Sequence, residues 1–95
     1  MKKTYQLKVE NKAPERQVES IKHDVKKYIA RERRKDLPAD SDYWDFDCKI
    51  GDDEKVAQVV HLSAINEMIS KISMKGGDSF YLEVLAKPAK RTKKD

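Results

Sequence analysis

The sequence predicts a single α+β domain in which two helices cover one face of a four-stranded antiparallel sheet. Three observations lead to this prediction. Four segments alternate apolar and polar residues as strands do, two segments repeat apolar residues with a helical period, and their order along the chain is βαββαβ. A chain of 95 residues has room for one such domain with one hydrophobic core.

The first two predicted elements are a strand and a helix. Residues 4–9, TYQLKV, alternate apolar and polar side chains as a half-buried strand does. Pro14 suits the first position of a helix. The apolar face of this helix consists of Val18, Ile21, Val25, Tyr28 and Ile29. We expect the helix to end near Asp36, because Pro38 disfavours helical geometry at the residue before it.

The next two elements form a predicted hairpin. Residues 43–50, YWDFDCKI, alternate with the apolar set on the core side, and residues 56–62, VAQVVHL, return as the second strand. Two registers are open for that strand. One turns Val60 towards the core, and the other turns Val59 and His61 towards it.

A second helix and a last strand complete the domain. Ser63 is the predicted N-cap of the helix, and Gly76 with Gly77 ends it. Its apolar face consists of Ile65, Met68, Ile69 and Ile72. Residues 79–87, SFYLEVLAK, alternate again and lead into the basic C-terminus.

This order of elements is the split βαβ arrangement, so we expect the ferredoxin-like two-layer sandwich. Right-handed crossovers would place the first and last strands side by side at the centre of the sheet, with the second hairpin strand at an edge. Residues 1–86 form the predicted domain. Residues 87–95, KPAKRTKKD, lack a large apolar side chain and are predicted to form a disordered basic tail.

The charges of the chain are unevenly distributed. Residues 1–86 carry equal numbers of basic and acidic side chains, so the formal net charge of +4 lies in residues 87–95. Within the domain, residues 22–35 are mostly basic and residues 37–54 are mostly acidic. This pattern indicates a basic helix, an acidic segment and a basic tail.

Our first hypothesis is a non-enzymatic protein that contacts RNA or another nucleic acid through its phosphates, with little sequence readout. The candidate contacts are Arg16, Lys26, Lys27, Arg31, Arg33, Arg34, Lys87, Lys90, Arg91, Lys93 and Lys94. Two other interpretations are open. The helix face is also consistent with a solvated surface, and the tail is also consistent with folding back on the acidic segment 40–54.

The alternative hypothesis is a protein-interaction module, either a homodimer or a binder of an acidic protein. It would use the edge strand 56–62 or the open face of the sheet, where Tyr43, Tyr81 and Leu85 are the candidate contacts. Base stacking on the open face is not expected, because most aromatic residues are in phase with the core.

No enzyme, cofactor or small-molecule substrate is indicated. The sequence has no Gly-rich phosphate loop and no Ser-His-Asp set. Asp45, Asp47 and His61 form a carboxylate–imidazole group in one register, but exposed Asp residues more often protect a sheet edge. Cys48 has no partner for an internal disulfide and is expected to be a buried, unreactive thiol. We therefore expect no catalytic residue and no metal site.

The sequence contains no apolar run of about 18 residues and no pattern typical of a secretory signal. We therefore expect a cytoplasmic protein without a membrane segment.

Three blocks, YIARERRKDLP, DYWDFDCKIG and DSFYLEVLAKPAKRTKK, resemble a family of small bacterial proteins known only as a domain of unknown function. The resemblance covers nearly the whole chain. It implies a stand-alone cytoplasmic protein in which the RERRK and KRTKK stretches are family features. It implies no activity, ligand or catalytic residue.

Overall fold

Four strands and two helices follow one another in the predicted order in the computed structural model, which describes residues 1–91. The elements are β1 (Lys2–Gln6), α1 (Pro14–Arg33), β2 (Tyr43–Gly51), β3 (Gln58–Val60), a 3₁₀ turn (Leu62–Ala64), α2 (Ile65–Met74) and β4 (Ser79–Ala89). No helix among the described residues is long and apolar enough to cross a membrane.

The strands form one antiparallel sheet in the order β1-β4-β2-β3. The predicted α+β two-layer sandwich is therefore confirmed. As predicted, β1 and β4 are neighbours and β3 is an edge strand. The order nevertheless differs from that of a ferredoxin-like sheet, because β4 and β2 occupy the centre and β1 lies at an edge. Phe80, Tyr81 and Leu82 of β4 are consecutive and all buried, which is typical of a strand covered on both faces.

The core lies between the helices and one face of the sheet. Helix α1 buries Val18, Ile21 and Val25, and α2 buries Ile65, Ile69 and Ile72. The sheet contributes Tyr5, Phe46, Cys48, Ile50, Phe80, Leu82 and Val84. The rings of Tyr5 and Phe80 stack with centroids 5.4 Å apart. The periodicity in the sequence thus predicted these inward faces correctly.

Several element ends differ from the predictions. Helix α1 ends at Arg33, before the predicted Asp36, and the backbone N–H of Arg34 closes its last turn. Strand β1 ends at Gln6, before Val9. Ser63 lies inside the 3₁₀ turn and does not cap α2. The backbone N–H of Ser63 donates to Nδ1 of His61, which is the cap of that turn.

The register of the hairpin is now defined. Val60 lies opposite Cys48 and turns towards the core, whereas Val59 lies opposite Lys49 and is 81% exposed on the other face. This is the first of the two registers left open by the sequence. Strand β3 is only three residues long, much shorter than the predicted 56–62.

Strand β4 continues past residue 86, the predicted end of the domain, and ends at Ala89. In the sheet, Lys87 lies opposite Asp45. The boundary predicted between domain and tail therefore differs from the structure, in which Lys90 is the first residue after β4. The disorder predicted for residues 92–95 lies outside the described residues.

Pro88 belongs to this extension of β4 and lies opposite Trp44 of β2. The N–H of Val84 donates to the Met1 carbonyl on the β1 side of the strand. Since N–H directions alternate along a strand, position 88 also points to that side, beyond the residues that pair with β1. Pro88 therefore removes no hydrogen bond from the pairing with β2.

Candidate nucleic-acid interface

The last turns of α1 carry a dense set of exposed cations on the sides of the helix that do not face the core. This set, which we call the basic surface, consists of Lys26, Lys27, Arg31, Arg33 and Arg34. All five side chains are exposed. Among residues 1–91, none of them forms an ion pair. The burial of Val25 on the opposite side of the helix fixes this orientation.

The basic surface has two rows separated by a small residue. Lys27, Arg31 and Arg34 surround one shallow hollow together with Ala30. Lys26 and Arg33 lie on the other side of Ala30, facing α2. Spacings of four and three residues align the first row, and the spacing of seven residues places Lys26 and Arg33 two turns apart on one face of the helix.

Arg33 is positioned by an aromatic ring. Its guanidinium carbon lies 5.6 Å from the ring centroid of Phe46 in β2. Such a cation–π contact contributes about 0.5–1 kcal/mol at an exposed site. The contact leaves the hydrogen-bond donors of the guanidinium available, so Arg33 is oriented without being neutralised.

The acidic residue nearest in sequence to these cations has other partners. Glu32 forms an ion pair of 2.6 Å with Lys35. Hydrogen bonding from Lys35 lowers the pKa of Glu32, and a hydrogen bond from Tyr28 acts in the same direction. The carboxylate of Glu32 thus remains ionised without pairing with Arg31 or Arg33.

Arg16 is not part of the basic surface. It is exposed near the start of α1, ten residues before Lys26, and a rise of 1.5 Å per residue separates the two by about 15 Å. The structure therefore does not bring Arg16 together with the other candidate contacts of the helix.

The start of the predicted tail contacts the acidic segment. Nζ of Lys87 lies 2.8 Å from Oδ1 of Asp47 on the open face of the sheet, and this hydrogen bond raises the pKa of Lys87. The backbone N–H of Arg91 donates to Oδ2 of Asp42 at 2.8 Å. Lys90 is exposed. For these residues the structure favours folding back on segment 40–54.

Lys93 and Lys94, the last two candidate contacts, lie outside the described residues. The end of β4 is nevertheless close to the end of α1. Trp44, which faces Pro88 in the sheet, donates its indole N–H to the Lys35 carbonyl at 2.9 Å. Helix α1 and the C-terminal segment therefore reach the same end of the molecule.

The open face does not offer the three contacts predicted for a protein partner. Tyr43 and Leu85 are each 39% exposed, but Tyr81 is only 6% exposed. Tyr81 lies beside Gly51, and the backbone of Ala57 approaches Gly51 so closely that a Cβ there would lie 2.7 Å from the Ala57 Cα. The segment after β2 thus folds over this end of the face and removes Tyr81 from solvent.

The Tyr81 hydroxyl donates to Oε1 of Glu83 at 2.9 Å. Burial, followed by this bond and the charges of Glu83 and Glu54, raises the pKa of Tyr81 to about 12. Tyr81 is therefore a structural residue at this end of the sheet.

The carboxylates and the histidine considered for a metal have other contacts. Oδ1 of Asp45 accepts from the backbone N–H of Phe46, Asp47 pairs with Lys87, and His61 contacts Ser63. No group of three His, Cys, Asp or Glu residues suited to a metal is found in the part of the chain that the structure describes.

Cys48 is buried as predicted, with 2% of its surface exposed. Burial raises the pKa of its thiol to about 11, with smaller effects from Asp47 and Asp45.

The sequence did not identify one component of the interface. Ser63 in the 3₁₀ turn and Asn66 in the first turn of α2 line the same groove as Lys26 and Arg33. We call this cleft between the two helices the helix groove. Its volume is about 420 Å³. The two sides of the groove are far apart in sequence, so no local pattern could have joined them.

The model of a family of unknown function, DUF6172, matches residues 1–95 of this chain. No curated protein and no solved structure matches the chain.

Proposed function

The chain belongs to this family of unknown function, and we propose the function of the protein from the chain's own residues. It is a non-enzymatic protein that binds nucleic acid, RNA in particular, through phosphates at the basic surface. The observation that carries the proposal is the set of five exposed cations on α1 that form no ion pair within the described residues.

Crowding of like charges on one helix face costs stability unless an anion offsets it. Lys27 and Arg31 are four residues apart, and Arg31 and Arg34 are three apart, so both pairs are neighbours on the helix. A phosphate backbone removes this repulsion and releases its own counterions on binding. The open, shallow form of the surface suits a polyanion better than it suits a small ligand.

The C-terminal segment has a secondary role in this proposal. Lys87 already pairs with Asp47, so the cations it adds are Lys90, Arg91, Lys93 and Lys94. Of these, Lys90 and Arg91 follow the end of β4, which lies near the end of α1. The proposed location is the cytoplasm of a bacterium, where nucleic acid is available and the thiol of Cys48 stays reduced.

The test is the salt dependence of binding to a labelled single-stranded RNA, measured by fluorescence anisotropy. We expect the double variant R31Q/R34Q to bind more weakly and to lower the slope of log affinity against log salt by about 1.4, since each phosphate contact contributes about 0.7. The matched control is K2Q/K71Q, which removes the same charge from lysines already paired with Glu83 and Glu67. Equal slopes for the two double variants would contradict the proposal.

The tail is tested by substitution, because truncation after residue 86 would remove part of β4. The variant K90Q/R91Q/K93Q/K94Q neutralises the segment and keeps the strand intact. For each charge removed, we expect this variant to lose less affinity than R31Q/R34Q loses. A larger loss would make the tail, and not α1, the main contact.

A second candidate function is self-association through the edge strand β3. Val59 is 81% exposed and Val56 is 54% exposed, an unusual pair of large apolar side chains beside a short, unprotected edge. Light scattering at several concentrations tests this candidate. A dimer that Val59→Lys converts to a monomer would support it, and a monomer at every concentration would refute it.

A further inference from the structure

We propose that the preferred partner is a single-stranded nucleic acid, with one base inserted into the helix groove while its flanking phosphates contact the basic surface. This inference rests on the proposed function and names the class of nucleic acid that the same surface selects.

The helix groove combines an apolar floor with a cationic rim. The side chains of Val25, Ile29, Leu62 and Ile65 form the floor. Val25 and Ile65 belong to the buried core, while Ile29 and Leu62 are partly buried against it. Apolar side chains offer an unstacked base a van der Waals contact that a phosphate cannot use.

The rim of this floor is cationic on one side and neutral on the other. Lys26 and Arg33 lie on the α1 side, and Ser63 and Asn66 lie on the α2 side. Asn66 is exposed, and its carboxamide offers both a donor and an acceptor to the edge of a base. The phosphates that flank an inserted base would therefore meet cations on the α1 side.

A second groove continues the path towards the sheet. It has a volume of about 500 Å³ and shares Arg33 and Leu62 with the helix groove. Trp44 and Phe46 of β2 also line it, together with the carboxylates of Asp45 and Asp47. Because these carboxylates repel phosphates, a single strand that continues past Arg33 would turn a base, and not its backbone, towards this second groove.

A duplex keeps its bases stacked and paired, so it reaches only the cationic rim. Electrostatic attraction alone favours the duplex, because its charge density is higher. A preference for the single strand therefore requires contacts beyond the phosphates. Inorganic polyphosphate has phosphates and no bases, so its affinity measures the electrostatic contribution to binding alone.

Ala30 is the residue that keeps the entrance of the groove open. It is exposed and lies between the two rows of the basic surface. A larger side chain at this position would extend over the apolar floor without changing any charge. Leu is a good helix former, so Ala30→Leu preserves the helix.

The experiment compares three ligands by fluorescence anisotropy and competition: a single-stranded RNA, its duplex and polyphosphate. For the unaltered protein we expect the single strand to bind about tenfold more tightly than either of the others, the effect of one inserted base. In Ala30→Leu this preference should disappear, because the single strand should lose more affinity than polyphosphate loses. The control Ala39→Leu adds the same apolar group at an exposed position away from the groove and should keep the preference.

Each outcome is informative. Equal binding of the three ligands, or tighter binding of the duplex, would overturn the inference and leave the proposed function intact. A preference for the single strand that survives Ala30→Leu would overturn the placement of the base in the helix groove. Absence of binding to all three ligands would overturn both the inference and the proposed function.

Discussion

The outer side of α1 and the open face of the sheet are both rich in charged side chains, but the two regions differ in whether these side chains form ion pairs. On the open face, Lys2 pairs with Glu83 and Lys87 pairs with Asp47. On the outer side of α1, the five cations of the basic surface have no acidic partner among the described residues. The comparison shows that charge density alone does not indicate an interface. The pairing of the charges decides which surface remains available to a polyanion.

The two regions also differ in how their apolar side chains are covered. The segment after β2 folds over one end of the open face and buries Tyr81. The helix groove has no such cover in the described residues, so part of its apolar floor stays accessible. One end of the open face is therefore covered by the chain itself, whereas the helix groove is open beside unpaired cations.

The largest expected effect on stability comes from disturbing the segment after β2, which covers one end of the open face. In Gly51→Ala, the new Cβ would lie 2.7 Å from the Ala57 Cα, so the segment must move. We expect a loss of about 1–3 kcal/mol in the free energy of unfolding, measured by urea denaturation. RNA binding by the folded variant should not change, because Gly51 is remote from α1. A stability equal to that of the unaltered protein would show that the segment packs loosely.

A smaller effect comes from reversing one charge in each region. Lys27→Glu replaces a repulsion with Arg31 by an attraction four residues apart, which should stabilise the protein by about 0.4–1 kcal/mol at low salt. Lys87→Glu breaks the pair with Asp47 and places two carboxylates together, so the melting temperature should fall. Both shifts should shrink as salt is added. A change in stability in the same direction for the two variants would mean that the ion pairing seen in the structure does not control stability.

The last expected effect is absent at neutral pH, appears only in alkaline solution and needs no substitution. The pKa of Tyr81 is raised to about 12 in the folded protein, above the usual value near 10. The folded state therefore holds this proton more tightly, and stability falls as pH rises from about 10 towards 12. In a titration of tyrosinate absorbance, Tyr81 should ionise late, and Tyr81→Phe should remove that late step. Ionisation of Tyr81 near pH 10 would show that the ring is accessible to solvent.

Periodicity predicted the layers of this fold well, because burial on one side leaves a direct pattern in the sequence. The apolar sets of α1, α2, β2 and β4 all face the core as expected. The position of β1 at an edge was not predicted, because strand order depends on which neighbours pair and not on the pattern within a strand. The burial of Tyr81 was missed for a similar reason, since it depends on the path of residues 52–57.

The candidate site was predicted in part. The charge pattern identified the cations of α1 correctly as an exposed set. It also included Arg16, which the structure places about 15 Å from Lys26 along the helix. Sequence alone could not show that Lys87 pairs with Asp47, because that contact joins residues 40 positions apart. It also could not show that Asn66 faces Arg33 across a groove. Long-range contacts decide which charges are free, and they become visible only in the folded chain.

The most direct test of the central claim compares RNA binding by Lys27→Glu and Lys87→Glu, which change the net charge equally. If the unpaired cations of α1 form the interface, Lys27→Glu should weaken binding and reduce the salt slope by about 0.7, whereas Lys87→Glu should keep the slope of the unaltered protein. Equal weakening by both variants would mean that only net charge matters, and would contradict a defined interface on α1.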